Sequence, residues 1–364
     1  MYSEAEIDAA VAAGALKPEA AAGLRSFVAQ RRETPTVDEE HFRLLTGFND
    51  IFVAIATVIL LVAVGWIGQA VGPTADLGAP SPFTGLFVAA AAWGLAEFFT
   101  RKRRMALPSI ILLLAFVCGV FFAALGLAAL IIPEAYIGPD ETPVIALAGS
   151  ASALAAMIGA WLHWKRFMVP ITIAAGAAAA VAVILGLVGA AVGDLPALGD
   201  IMLALAFIAG LAVFAFAMWW DGSDPARVTR RSDVAFWLHL LAAPLIVHPI
   251  FKTLGTLDGE VSALEGGLVI IVYLLMGLAA LAIDRRALLV SALAYVLFAI
   301  RQLFIEAGAV ELSFALTALV IGSALLLLSA FWHDSRRSVV ARLPGTLRAK
   351  LPVIDRTMSP QPAS

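Results

Sequence analysis

Ionisable and amide side chains interrupt two long apolar stretches in the second half of the sequence. His248 and Lys252 lie in one stretch, and Arg301, Gln302 and Glu306 lie in the other. Such groups are costly in hydrocarbon and usually face a bundle interior or a water-filled cavity. At about 1.5 Å per helical residue, His248 and Arg301 fall at a similar depth, roughly 22 Å from the nearest basic loop. We therefore predict that these five residues form a solute-binding vestibule for a small polar or anionic solute.

Two structural alternatives fit the same residues. The Arg301 guanidinium would form an ion pair with a carboxylate of a neighbouring helix, or extend along its own helix to the membrane surface.

Near His248, Pro244 and Pro249 each free a backbone carbonyl one turn earlier, and carriers often build binding sites from helices broken in this way. An ordinary kink that neighbouring helices seal explains the same prolines.

Known catalytic motifs are missing from the sequence. It contains no Gly-x-x-x-x-Gly-Lys loop, no Gly-x-Gly-x-x-Gly, no Gly-x-Ser-x-Gly and no His-Glu-x-x-His. The single cysteine, Cys118, cannot form an internal disulfide or a thiolate metal cluster. No two of the five histidines pair at one depth. We predict no catalytic residues, no metal and no cofactor, and so a protein that is not an enzyme. An enzyme of lipid phosphates, which would need clustered Asp or Arg at one membrane boundary, is the weakest alternative.

The composition predicts an all-α, polytopic transmembrane helical bundle. Of 364 residues, 62% are hydrophobic and 14% charged, whereas soluble domains average about 45–50% apolar and about 25% charged. The apolar residues form stretches of about 20, the length that crosses the hydrocarbon core as a helix. The ten predicted spans are 48–70, 83–100, 105–132, 143–162, 168–193, 200–220, 234–254, 265–283, 287–305 and 309–332.

Basic residues predict the orientation of this bundle. All but two of the 24 Lys and Arg residues, Lys252 and Arg301, fall in the termini or in alternate loops on one side. Positive charge marks the cytoplasmic side of a membrane protein. We therefore predict a multi-pass protein of the inner (plasma) membrane with short loops and both termini in the cytoplasm.

Two cytoplasmic segments flank the transmembrane bundle of residues 46–333. Residues 1–45 predict a short helical hairpin in which Gly14 ends the first helix and Pro18 opens the second. Residues 334–364 predict a basic segment, from Arg336 to Arg342, that either lies on anionic lipid or only sets the topology. Four prolines then predict disorder from Leu343 onward.

The order of the spans is compatible with two kinds of internal repeat. One is a helical hairpin with a basic turn, which recurs in 94–108, 161–170 and 277–290. The other divides the ten spans into two inverted halves of five, as in many carriers.

The head segment carries one resemblance. Ile7-Asp8, followed by Gly14 to Ala20 and then by many spans, resembles predicted bacterial polytopic membrane proteins of unknown function with an N-terminal cytoplasmic helical hairpin. The resemblance implies an architecture and no catalytic residues.

Two functions fit these features. The first is a transporter or permease for a small polar or anionic solute. The second is a non-transporting membrane sensor or assembly protein that docks a cytoplasmic protein through residues 1–45. In both cases the lipid bilayer is a partner, and nucleic acid is not.

Overall fold

A computed structural model describes most of the bundle and little of the two ends. The described residues are 11, 13–14, 16–21, 23, 48–74, 80–133, 142–225, 227, 229–254, 263–348 and 351. In the head, residues 18–21 are helical and Gly14 has a φ of 69°. The predicted head hairpin as a whole, and the tail from residue 352, lie outside the described residues.

The protein is an all-α helical bundle, as predicted. Its helices are α1 (Phe48–Val71), α2 (Pro82–Ala96, continued by a π-helical turn over Glu97–Lys102), α3 (Ala106–Ile131), α4 (Thr142–Phe167), α5 (Ile171–Val192), α6 (Leu198–Gly222), α7 (Arg230–Thr253), α8 (Ala263–Ile283), α9 (Ala287–Glu306), α10 (Ser313–Ala330), α11 (Trp332–Ala341) and α12 (Gly345–Arg348). Each of the ten predicted spans corresponds to one helix from α1 to α10.

Nine helices of the described chain are long and apolar enough to cross a membrane. They are α1 to α8 and α10. Helix α9 has 20 residues, but its described apolar section is limited to Val296–Ile305. The multi-pass architecture is therefore established, with nine candidate spans where the sequence predicts about ten.

Neighbouring helices form four tight antiparallel hairpins. The hairpins are α2–α3, α4–α5, α6–α7 and α8–α9, and the two helices of each pair are in contact. Each odd-numbered helix from α1 to α9 also contacts the next odd-numbered one, so that the hairpins stand in a row.

The turns of the four hairpins share an unusual backbone conformation. Each contains one non-glycine residue with a positive φ, and these are Arg104 (53°), Met168 (52°), Arg227 (52°) and Asp284 (57°). Non-glycine residues seldom adopt this left-handed region. Within the described residues no other non-glycine residue has a positive φ. The recurrence supports the hairpin as the repeating unit and extends it to α6–α7, which the sequence comparison had not included.

Small residues allow the close packing inside the hairpins. In α2–α3, a Cβ placed on Gly85 would lie 2.2 Å from the backbone nitrogen of Ala123. In α6–α7, a Cβ on Gly210 would lie 2.9 Å from the carbonyl carbon of Leu245. Contacts this short exclude any side chain, so the two backbones touch directly, as is common between membrane helices.

Helix α7 is continuous through both of its prolines. It runs unbroken from Arg230 to Thr253 with Pro244 and Pro249 inside it. The carbonyl of Leu245, which Pro249 cannot engage, is covered by Gly210 of α6. Helix α7 is therefore continuous at both prolines, and a binding site built from the freed carbonyls stays a prediction.

The C-terminal segment packs onto the bundle. Helix α11 contacts α8, and it buries Trp332, Arg336 and Val340. Arg336 therefore lies against protein, whereas the sequence suggested either a position on lipid or a purely topological role. Gly345–Arg348 are helical, although the composition predicted disorder from Leu343.

Candidate functional site

The four hairpin turns lie at the same end of the bundle, which we call the basic end. Contacts between turns connect them, because Arg166 of the second hairpin binds Glu97 of the first, and Arg227 of the third binds Asp284 of the fourth. Most basic residues of the membrane region therefore meet at one surface.

A cavity of about 380 Å³ opens among the first three hairpins at this end. It is formed by the end of α2, the turns after α2 and α4, and the first turns of α3, α5 and α7. Its polar lining consists of Thr100, Arg101, Arg104, Ser109, Arg166, Arg230 and Asp233. Its apolar lining includes Met105, Ile110, Phe167, Ile171 and Trp237. The cavity is thus strongly cationic on one part of its wall and apolar on another.

The arginines of the cavity differ in how far their charge is compensated. Glu97 accepts a hydrogen bond from Arg101 at 3.2 Å and two from Arg166, at 2.6 and 3.0 Å. Among the described residues Arg104 forms no ion pair, and Arg230 interacts electrostatically with Asp233, three residues later on α7, without an ion pair within 4 Å. The four arginines carry four positive charges, and the carboxylates of Glu97 and Asp233 carry two negative charges. Two positive charges therefore remain uncompensated.

Helix starts add further donors. Helices α3 and α5 begin at the cavity, and neither start has a side-chain cap among the described residues. In α5 the N–H groups of Thr172 and Ile173 donate to nearby carbonyls, and in α3 Pro108 has no N–H, so the remaining donors are the N–H groups of Ala106, Leu107 and Ile171. The first N–H groups of a helix have no partner within that helix, and its N-terminus carries a partial positive charge. The arrangement can therefore bind an anion by both side chains and backbone.

A second polar cluster at the basic end is buried, and its carboxylate and guanidinium are paired with each other. The Asp221 carboxylate, at the end of α6, lies 2.9 Å from Nε2 of His239 and also binds the guanidinium of Arg285. Arg285 donates a further bond to the carbonyl oxygen of Ser232 at 3.2 Å. His239 and Arg285 are completely buried. This cluster ties α6, α7 and the turn before α9 together.

Asp284 is the centre of an adjoining cluster. Its carboxylate accepts hydrogen bonds from Arg227 at 3.1 Å and from the Trp332 indole at 2.8 Å, and Arg336 lies 3.6 Å away. Burial by itself would raise the pKa of Asp284, but Arg227, the Trp332 indole and Arg336 together hold that pKa below its usual range. The cluster therefore anchors α11 to the turn between α8 and α9.

The structure describes the side chains of four of the five residues of the predicted vestibule. Helices α7 and α9 do pack against each other. His248 and Arg301 are exposed, Lys252 and Gln302 are half-buried, and the side chain of Glu306 lies outside the described residues. None of the five lines the cavity at the basic end, and the assignment of a solute site to them stays a prediction.

From the sequence, the basic residues of this end predicted only the orientation of the bundle in the membrane. Arg101 pairs with Glu97 one helical turn away, as their spacing predicts. The additional bond from Arg166 joins two hairpins and could not be derived from spacing. The sequence did contain one signal for the two buried clusters. Asp221 and Asp284 stand at the ends of apolar helices beside basic turns, where a carboxylate needs a partner.

The described residues contain no group of three or more His, Cys, Asp and Glu side chains placed to hold a metal ion. A larger cavity of about 720 Å³ lies between α1, α2 and α3, and its wall is almost wholly apolar. The basic-end cavity, in contrast, has the charged and polar lining that a polar-ligand site needs.

Comparisons with known proteins give no further assignment. No protein-family model matches the chain, and neither a curated protein nor a solved structure is significantly similar to it.

Proposed function

We propose that this multi-pass membrane protein binds a small anionic solute at its basic end and transports it across the inner membrane. The observation that carries the proposal is the cavity among the first three hairpins, where four arginines face only the carboxylates of Glu97 and Asp233. Uncompensated guanidinium groups at the mouth of a membrane protein attract anions.

The positive-inside rule assigns the basic end, and both termini, to the cytoplasm. The solute would then bind from the cytoplasmic side. This location differs from the vestibule predicted near His248 and Arg301, which would open on the opposite side.

The test is a flux measurement in proteoliposomes. Anions of different chemistry, such as inorganic phosphate, glycerol 3-phosphate, sulfate and glutamate, are applied to reconstituted protein on a solid-supported membrane. We expect a sustained flux for at least one of them. The flux should be lost in Arg230→Gln and retained in Arg231→Gln, because Arg231 is the neighbouring exposed arginine and does not line the cavity.

One observation favours a second function, a non-transporting sensor or assembly protein. The interior between α7, α8, α9 and α10 is filled by buried apolar side chains, among them Val247, Phe251, Val269 and Val296. Such an interior offers a solute no polar path in this part of the bundle. Binding of an anion without flux of any tested anion would contradict transport and support this second function, with residues 1–45 as the docking segment.

A further inference from the structure

We propose that the ligand of the basic-end cavity is an organic phosphomonoester, a doubly charged terminal phosphate attached to a partly apolar group. This inference rests on the proposed function, because it names the class of anion that the same cavity binds. A soluble phosphomonoester and the headgroup of a lipid such as phosphatidic acid carry the same chemistry.

The charge of the cavity matches a dianion. Arg101 and Arg166 share the carboxylate of Glu97, and the cavity also contains Asp233. A ligand with two negative charges would balance the two positive charges that remain uncompensated. A phosphomonoester carries about −1.5 to −2 at neutral pH, whereas a phosphodiester or a simple carboxylate carries one negative charge.

The donors suit a phosphate group. Arg104 and Arg230 present planar guanidinium groups, which bind two phosphate oxygens at once and prefer phosphate and carboxylate to spherical anions. The N–H groups of Ala106, Leu107 and Ile171 remain as backbone donors at the starts of α3 and α5, and backbone N–H groups at helix starts are frequent phosphate ligands.

The apolar wall points to an organic group on the phosphate. A volume of about 380 Å³ falls within the range of roughly 300–1,000 Å³ typical of small-molecule sites. Inorganic phosphate would leave most of it empty. Trp237, Phe167 and Ile110 offer surface that an alkyl or glyceryl group would cover, with the free energy of apolar burial added to that of the charge pairing.

The experiment compares a monoester with its diester in soluble and lipid form. Calorimetric titration of the purified protein uses glycerol 3-phosphate, glycerophosphoglycerol, inorganic phosphate and glutamate. Nanodiscs that contain phosphatidic acid or phosphatidylglycerol provide the lipid arm, in which bound lipid is counted by native mass spectrometry. We expect the monoester to bind at least about tenfold more tightly than the diester in one of the two arms, and that arm identifies the source.

Matched arginine variants locate the binding to the cavity. Arg104→Gln and Arg230→Gln should each weaken monoester binding roughly ten- to hundredfold, because each removes a charge-assisted pair. Arg103→Gln and Arg231→Gln should leave it unchanged. Arg103 stacks on Phe98 at 5.4 Å, and neither control residue lines the cavity.

A gain-of-affinity variant covers the case in which an arginine variant fails to fold. Asp233→Asn removes a negative charge from the cavity, so it should bind the monoester more tightly than the wild type. Unchanged or weaker binding in this variant would contradict the proposal.

Three further outcomes would overturn the phosphomonoester proposal, and they distinguish its failure from failure of the proposed function. Equal binding of monoester and diester, or preferential binding of glutamate, removes the phosphomonoester while anion binding stands. Monoester binding that Arg104→Gln and Arg230→Gln leave intact places the ligand elsewhere. Absence of binding by every anion in both arms removes the proposed function as well.

Discussion

Arg166, at the end of α4, donates two hydrogen bonds to Glu97, at the end of α2, with donor–acceptor distances of 2.6 and 3.0 Å. The pair is partly exposed, with 41% and 32% of the two side chains accessible, so it adds little stability. Its consequence is electrostatic. Arg101 and Arg166 share one carboxylate, so one positive charge of this pair remains, and Asp233 likewise leaves one positive charge on Arg104 and Arg230.

Removal of the Glu97 charge should therefore strengthen anion binding. In Glu97→Gln the guanidinium groups of Arg101 and Arg166 lose their compensating carboxylate, and the affinity of the cavity for anions should rise. The melting temperature in detergent should change little, because the pair is exposed. Calorimetric titration with glycerol 3-phosphate checks the prediction, with Asp334→Asn, an exposed carboxylate on α11 that pairs with Arg337, as the control. A weaker affinity in Glu97→Gln would show that Glu97 acts mainly by positioning the arginines.

The buried cluster around Asp221 predicts a large effect on stability. Asp221→Ala would leave the buried guanidinium of Arg285 without its carboxylate, which costs about 3–5 kcal/mol for a buried pair. Arg301→Ala should not lower stability by more than about 0.5 kcal/mol, because its side chain is exposed and forms no ion pair with the described residues. Melting in detergent measures both. A large loss in Arg301→Ala would restore the structural ion pair considered for this residue.

The close approach of α2 and α3 predicts different costs for two glycines of the same helix. Gly85→Ala would place a methyl group 2.2 Å from the backbone of Ala123, which must separate the two helices. Gly94→Ala meets nothing within 4 Å, and it should be neutral or slightly stabilising because alanine favours the helix. The melting temperatures of the two variants, measured side by side, test the packing. Equal melting temperatures would contradict this hairpin geometry.

Orientation is tested independently of binding. Reporter fusions in residues 101–104, in 227–231 and after Arg342 should score as cytoplasmic, because these segments carry the basic residues. Fusions at Asp76, Asp140 and Asp258, in the acidic loops, should score as external. Any of these loops on the unexpected side would mean that the span count is wrong.

Sequence predicted the spans well and the site poorly, for a physical reason. The ends of a span follow from the total apolar content of a stretch, which Leu198–Gly222 and Ala106–Ile131 show with shifts of one or two residues from prediction. Depth along a helix also follows from counting residues. It does not reveal which way a side chain points, so His248 and Arg301 could be placed at one depth but not on one face.

The cavity at the basic end shows the same limit, because a single sequence does not reveal which residues meet. Arg104 and Arg230 satisfy the positive-inside rule, and that rule alone explains their presence. Their shared cavity depends on the lateral order of the hairpins, which brings the starts of α3, α5 and α7 together. Contacts between hairpins far apart in sequence, such as Arg166 with Glu97, carry no signal in a single sequence.

The most direct test of the account compares the two candidate anion sites in one measurement. It records the rise in melting temperature caused by saturating anion, with glycerol 3-phosphate, inorganic phosphate and glutamate tested in turn. The proteins are the wild type, the double variant Arg104→Gln/Arg230→Gln and the double variant Lys252→Ala/Arg301→Ala. We expect the first double variant to lose the rise and the second to retain it. Loss in Lys252→Ala/Arg301→Ala, with the rise intact in Arg104→Gln/Arg230→Gln, would place the anion site at the opposite end and contradict the account.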